Sequence, residues 1–138
     1  KKNLIIYTLE GYHCASMGAD VQVINGDKPF LRIEENQVRV YGSPWAGKEG
    51  WQNNTSGVLK GICVLKQAKE NKIQRLSAVE ALPYLVPQIY FTEETEQAEK
   101  LLDALDRLLL QVSVYCLECN RSKEAVACSF EALSGEKI

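Results

Sequence analysis

Residues 58–85 read VLKGICVLKQAKENKIQRLSAVEALPYL, and the apolar period changes within them. Val58 to Lys66 is dense in Val, Leu, Ile and Cys, and Lys72 to Leu76 is a second short run. A polar cluster, Lys69-Glu70-Asn71, separates the two. Short apolar runs bounded by polar clusters read as strands, so this spacing predicts a β-hairpin. Ser77-Ala78-Val79-Glu80 follows at once and has the form of a capping box. In such a box the serine hydroxyl takes an orphan N–H of the first helical turn and the glutamate reaches back to the cap. The helix it opens should end or bend around Pro83 or Pro87, because proline removes a donor and clashes with the preceding turn. The chain is therefore expected to be β-rich before Ser77 and helical after it.

Toward the amino terminus, Leu4 to Leu9 reads as a strand, and Gly11 to Gly18 is too small and glycine-bounded to assign. Val21 to Ile24 is a β-branched strand that ends abruptly at Asn25-Gly26-Asp27. Phe30 to Ile33 and Val38 to Tyr41 alternate apolar and polar side chains on either side of Glu34 to Gln37, which predicts another hairpin. Gly42 to Gly57 holds Gly, Pro, Trp, Asn and Ser without a period and reads as a long loop, a length that in a small domain is usually functional or mobile. Toward the carboxyl terminus, Glu93 to Leu110 places Ala98, Leu101, Leu102, Leu105, Leu108 and Leu109 on one helical face. Val112 to Cys119 returns to a strand, and Ser122 caps a last helix, Lys123 to Leu133, stopped by Gly135. The fold class expected from this order is α/β, a mixed sheet with hairpins followed by helices packed on it.

The sequence has 138 residues, 46% apolar and 25% charged, which fits one globular domain over 1–138 and argues against disordered or fibrous classes. Lysine and arginine number 16 against 18 acidic residues, a net charge of -2. That balance excludes a strongly basic nucleic-acid binder on bulk electrostatics. No stretch approaches the roughly 20 apolar residues of a membrane span, so no membrane partner is expected. Cys14, Cys63, Cys116, Cys119 and Cys128 are odd in number and scattered through apolar segments, which suits a reducing cytoplasm better than a disulfide framework.

Several patterns could carry chemistry. Gly42-Ser43-Pro44-Trp45-Ala46-Gly47-Lys48-Glu49 has the glycine and lysine spacing of a phosphate-binding loop, but Glu49 stands where Ser or Thr should hold magnesium. Gly50, Asn53, Asn54, Ser56 and Gly57 come next, so no helix N-terminus is expected to cradle a phosphate. Asp27 ends a hydrophobic strand, the place where nucleotide-binding sheets carry a magnesium-coordinating acid. Asn25-Gly26-Asp27 is also an ordinary turn, and the local pattern favours that reading. Cys116 and Cys119 have the spacing of a zinc knuckle or a redox pair, with Cys128 as a third partner, but strand alternation would send the pair to opposite faces, and structural cysteines are the favoured reading. No zinc is expected. Lone His13 reads as a surface residue. Trp45 and Trp51 could stack on a base or a partner, although anchoring the loop to the core is the favoured reading. Glu93, Glu94, Glu96 and Glu99 read as a solvated helix start, where negative charge suits the dipole.

Taken together, VQVINGDKPFLRI (21–33), VRVYGSPWAGKEGWQNNTSGVLKGICVL (38–65), ENKIQRLSAVEALPYL (70–85), LLDALDRLL (101–109) and VYCLECN (114–120) resemble a family of small bacterial nucleotide-binding proteins. These are similar to the HPr serine kinase and phosphoenolpyruvate carboxykinase superfamily. The resemblance runs from about Gly18 to Gly135 and implies a P-loop kinase-like core, ATP and magnesium as cofactors, and phosphoryl transfer. It implies that Asp27 is the magnesium ligand and, with Lys28, the catalytic pair. Asn25, Ser43, Trp45, Lys48, Asn54 and Lys60 would then face the same cleft as phosphate or ligand contacts. In that family a Walker A loop precedes the VINGDKP block, whereas the corresponding residues here, KKNLIIYTLEGY, lack it. The chain is accordingly expected to be a truncated or degenerate relative that alone binds ATP poorly or not at all. A homodimer or a missing amino-terminal segment would complete it. The competing expectation is a non-catalytic binding domain that uses the Gly42–Gly57 loop.

Overall fold

Alternation and β-branching place six strands where side chains can divide between two faces. In the computed structural model, which describes residues 4–8, 23–45, 47–48, 50–89 and 93–135, these are β1 (Leu4–Thr8), β2 (Phe30–Ile33), β3 (Val38–Tyr41), β4 (Ser56–Gln67), β5 (Lys72–Leu76) and β6 (Ser113–Cys119). Three helices accompany them: α1 (Ala78–Leu85), α2 (Thr95–Gln111) and α3 (Lys123–Ser134). The fold is α/β with a mixed sheet. His13, Cys14, the Gly11–Gly18 segment, Val21 and Gln22 lie outside the described residues.

The hairpin of β2 and β3 forms as expected, with Phe30 opposite Tyr41 and Ile33 opposite Val38. Its turn closes through Glu34 N–H donating to Gln37 O at 2.9 Å. β4 is the organising strand. β3 pairs antiparallel along its Ser56–Val58 end, β1 antiparallel along Leu59–Val64, and β6 parallel along Gly61–Gln67. Opposite β1, Tyr7 faces Gly61 and Thr8 faces Leu59, so Lys60 stands in a bulge.

The strand order β2-β3-β4-β6-β5 overturns one expectation. β4 and β5 do not form a hairpin; β6 lies between them, parallel to β4 and antiparallel to β5. Residues 68–71 are a link across the end of β6. Ala68 N–H donates to Cys119 O at 2.9 Å, Asn71 Nδ2 donates to Ser122 Oγ at 2.9 Å, Asn120 N–H donates to Asn71 Oδ1 at 3.0 Å and Asn120 Nδ2 donates to Lys69 O at 2.9 Å. The apolar runs of β4 and β6 explain the insertion. Gly61 to Val64 are all buried, and a strand buried on both faces needs a partner that is also largely apolar, which β6 is and the charged β5 is not.

The pleat divides the core. Ile62, Val64, Val114 and Cys116 pack with Leu76, with Ala81 and Leu85 of α1, and with Leu105 and Leu108 of α2. Cys63 and Leu117 point the other way and pack with Cys119, and with Cys128 and Leu133 of α3. Each fully buried aliphatic side chain here contributes roughly 1.5–3 kcal/mol. Cys116 and Cys119 therefore do fall on opposite faces. The apolar face of α2 is narrower than its sequence implies, since Leu102 is half exposed while Leu105 and Leu108 are buried.

Both capped helices form as read. Glu80 N–H donates to Ser77 Oγ and Ser77 N–H donates to the Glu80 carboxylate, completing the box that starts α1. The helix runs through Pro83 and ends at Leu85, where a single tighter turn carries Pro87. Ser122 Oγ accepts from Ala125 N–H at the start of α3, and Gly135, at φ 75°, closes its end. No described helix is long and apolar enough to cross a membrane.

Candidate functional site

Asparagine and serine side chains bond readily to nearby backbone, which suits them to fixing loops rather than to extending sheets. The segment 23–29 and the loop 42–55 use this chemistry to hold each other. Asn53 N–H donates to Ile24 O at 3.0 Å and Gly26 N–H donates to Trp51 O at 2.8 Å, with Asn25 bridged to Gln52 between them. The expected strand over Val21–Ile24 is thus not found in its described part: Val23 and Ile24 lie outside any strand, because Ile24 pairs with this loop and not with the sheet.

Asn25 and Ser43 tie the knot from the side-chain level. Asn25 Nδ2 donates to Ser43 O at 3.0 Å and to Ser43 Oγ at 3.2 Å, while its Oδ1 accepts from Asp27 N–H at 2.8 Å. Ser43 is buried, and its hydroxyl donates to Lys28 O and accepts from Trp45 N–H at 3.3 Å. One donor and two acceptor positions are all a hydroxyl has, so the hydrogen-bonding capacity of Ser43 is committed within the loop. Each such bond contributes about 1 kcal/mol net. Gly42 completes the frame, since a Cβ there would collide with the carbonyl oxygen of Asn53.

Four sequence candidates, Asn25, Asp27, Lys28 and Ser43, therefore meet at one place, and Trp45 stems from the same knot. Asp27 is half-buried; Lys28, Lys48, Asn54 and Lys60 are exposed. Among the described residues no hydrogen bond ties Lys48, Asn54 or Lys60 to the knot, and Lys60 sits in the β4 bulge. The indoles do not anchor the loop to the core. Trp45 is 57% and Trp51 52% exposed, and anchoring falls to Asn25, Ser43 and Asn53 instead. Sequence reasoning missed Phe30, which is 52% exposed and packs edge-to-face on Trp45, with centroids 5.7 Å apart and planes at 86°. Its place at the first position of β2, next to Lys28-Pro29, was the available signal. Asn53 was missed too, although an Asn-Asn pair in a long loop is a frequent backbone tie.

The fit to magnesium and ATP is partial. Magnesium commonly takes one or two carboxylates and completes its shell with substrate phosphates and water, so a single Asp27 is compatible with it. Among the described residues no group of three or more His, Cys, Asp or Glu could hold a metal ion. The phosphate cradle does not fit. Gly47 and Gly50, both at positive φ, form a turn through Lys48 that leads into the Gln52 bridge, and no helix follows. No family model matches the chain, and neither a curated protein nor a solved structure matches it.

Proposed function

We propose that the chain is a degenerate member of the kinase-like nucleotide-binding class it resembles, located in the cytoplasm and unable to transfer phosphoryl groups by itself. One observation carries the reading: the segment bearing Asp27 and Lys28 and the loop bearing Trp45 and Lys48 form a single hydrogen-bonded frame. A magnesium-binding acid and a ligand-facing loop belong together in that way. Phosphoryl transfer depends chiefly on positioning and electrostatic stabilisation of the phosphates. Backbone N–H groups arrayed at a helix start supply both, and among the described residues no helix follows the turn around Lys48. Asp27 and Lys28 alone would contact a phosphate or its metal without enclosing it. The odd number of cysteines, scattered through apolar segments of the sequence, supports the cytoplasmic reading.

Calorimetric titration with MgATP tests this reading on wild type and on Asp27→Asn. The expected result is affinity no better than millimolar and no phosphate release on incubation. Micromolar, magnesium-dependent binding that Asp27→Asn abolishes would overturn it.

A further inference from the structure

The sequence holds two tryptophans, and both lie in the loop 42–55 with more than half of their surface in water. The frame holds the backbone on which both stand: Trp45 N–H donates to Ser43 Oγ and Trp51 O accepts from Gly26 N–H. Phe30 stands edge-to-face with Trp45, which holds that ring in one orientation. Lys28 joins the same place through its carbonyl on Ser43 Oγ, and its side chain is exposed, as is that of Lys48 three positions beyond Trp45. Among the described residues of these two segments, Lys28 and Lys48 bring two ammonium groups and Asp27 one carboxylate.

We propose that Trp45 and Phe30 form a stacking platform for a planar aromatic ring whose attached anion is met by Lys28 and Lys48, as in a nucleoside monophosphate. This deepens the degenerate-kinase reading and rests on it for the position of the site, but it makes the ring, not the phosphate chain, the part that is held. Patch size favours a small ligand. The two aromatic side chains at about half exposure present roughly 200 Å², well below the ~800 Å² per partner that a stable protein interface uses. A single base covers such a platform, and base–aromatic stacking is tolerant of phosphate number and of metal.

Equilibrium dialysis with labelled AMP, alongside fluorescence of the Trp51→Phe variant in which Trp45 is the sole indole, tests the proposal. AMP should bind saturably at millimolar strength and quench Trp45. ADP and ATP should bind within about threefold of AMP with or without magnesium, and inorganic phosphate should not displace it. Trp45→Ala, whose side chain is exposed and whose melting temperature should match wild type, should weaken AMP binding about fivefold or more. Absence of saturable AMP binding, unchanged affinity in Trp45→Ala, or full displacement by inorganic phosphate overturns the proposal. Each of these leaves the lack of phosphoryl transfer standing. Micromolar MgATP binding that depends on Asp27 instead counts against the degenerate reading.

Discussion

Gly42 and Gly61 are both crowded, but by different neighbours. A Cβ on Gly42 would strike the carbonyl oxygen of Asn53, a residue whose backbone N–H donates to Ile24 O and whose Nδ2 donates to Val23 O; on Gly61 it would strike the terminal methyl of Leu133, which has rotamers to spare. Overpacking typically costs 1–3 kcal/mol and is larger where the neighbour cannot give. Gly42→Ala should therefore lower stability by about 3 kcal/mol and Gly61→Ala by about 1 kcal/mol in urea unfolding. Equal losses would show that the loop frame yields as easily as a side chain. Asn25, Ser43 and Asp27 were legible as special residues because polar groups at the end of an apolar run stand out. The work of Asn25 and Ser43 was not, since a bond spanning 18 positions leaves no mark on either local pattern. Ser43 looked like a ligand contact and is instead a tie.

At the level of the element, the Ser77–Glu80 box is the clearest agreement between pattern and structure. Hydrogen bonds from the Ser77 backbone N–H, and then from its side chain, hold the Glu80 carboxyl below the usual carboxylate range. A depressed pKa in the folded state means the contribution is complete above the unfolded value, about 4.3, and fades as pH falls through the folded one. Ser77→Ala should cost about 1 kcal/mol at neutral pH. Glu80→Ala should also lower the melting temperature at neutral pH, and its gap from wild type should close below about pH 4. A gap that stays constant with pH would remove the charge from the explanation. Boundaries elsewhere were legible to within a residue or two: β5 matches, while β4 starts at Ser56 because Ser56 and Gly57 pair with Tyr41 and Val40. Propensity and capping are local, so they survive in the sequence; the reach of a strand into a neighbour's register is not local.

The order of strands across the whole molecule was the part least visible. Amphipathic alternation tells which face of a strand is buried but not which strand lies beside it, and a four-residue link between β4 and β5 is as good for a hairpin as for a bridge over β6. The deciding residues, Val114, Cys116 and Leu117, lie some fifty positions further along. That placement has a kinetic side. A hairpin of adjacent strands closes in about 1–10 μs, whereas β6 must arrive across a long stretch of chain and occupy the space between β4 and β5. The bonds from Asn71 and Asn120 can close only once β6 has seated, so they are expected to form after the folding barrier. Asn71→Ala should then speed unfolding about tenfold while changing the refolding rate less than about twofold, in stopped-flow measurements across denaturant. A slowed refolding limb would place the link before β6 in time. The small clasp at residues 68–71 and 119–122 is thus the latch on a door that closes last, and it sets how long the native state lasts rather than how quickly it is reached.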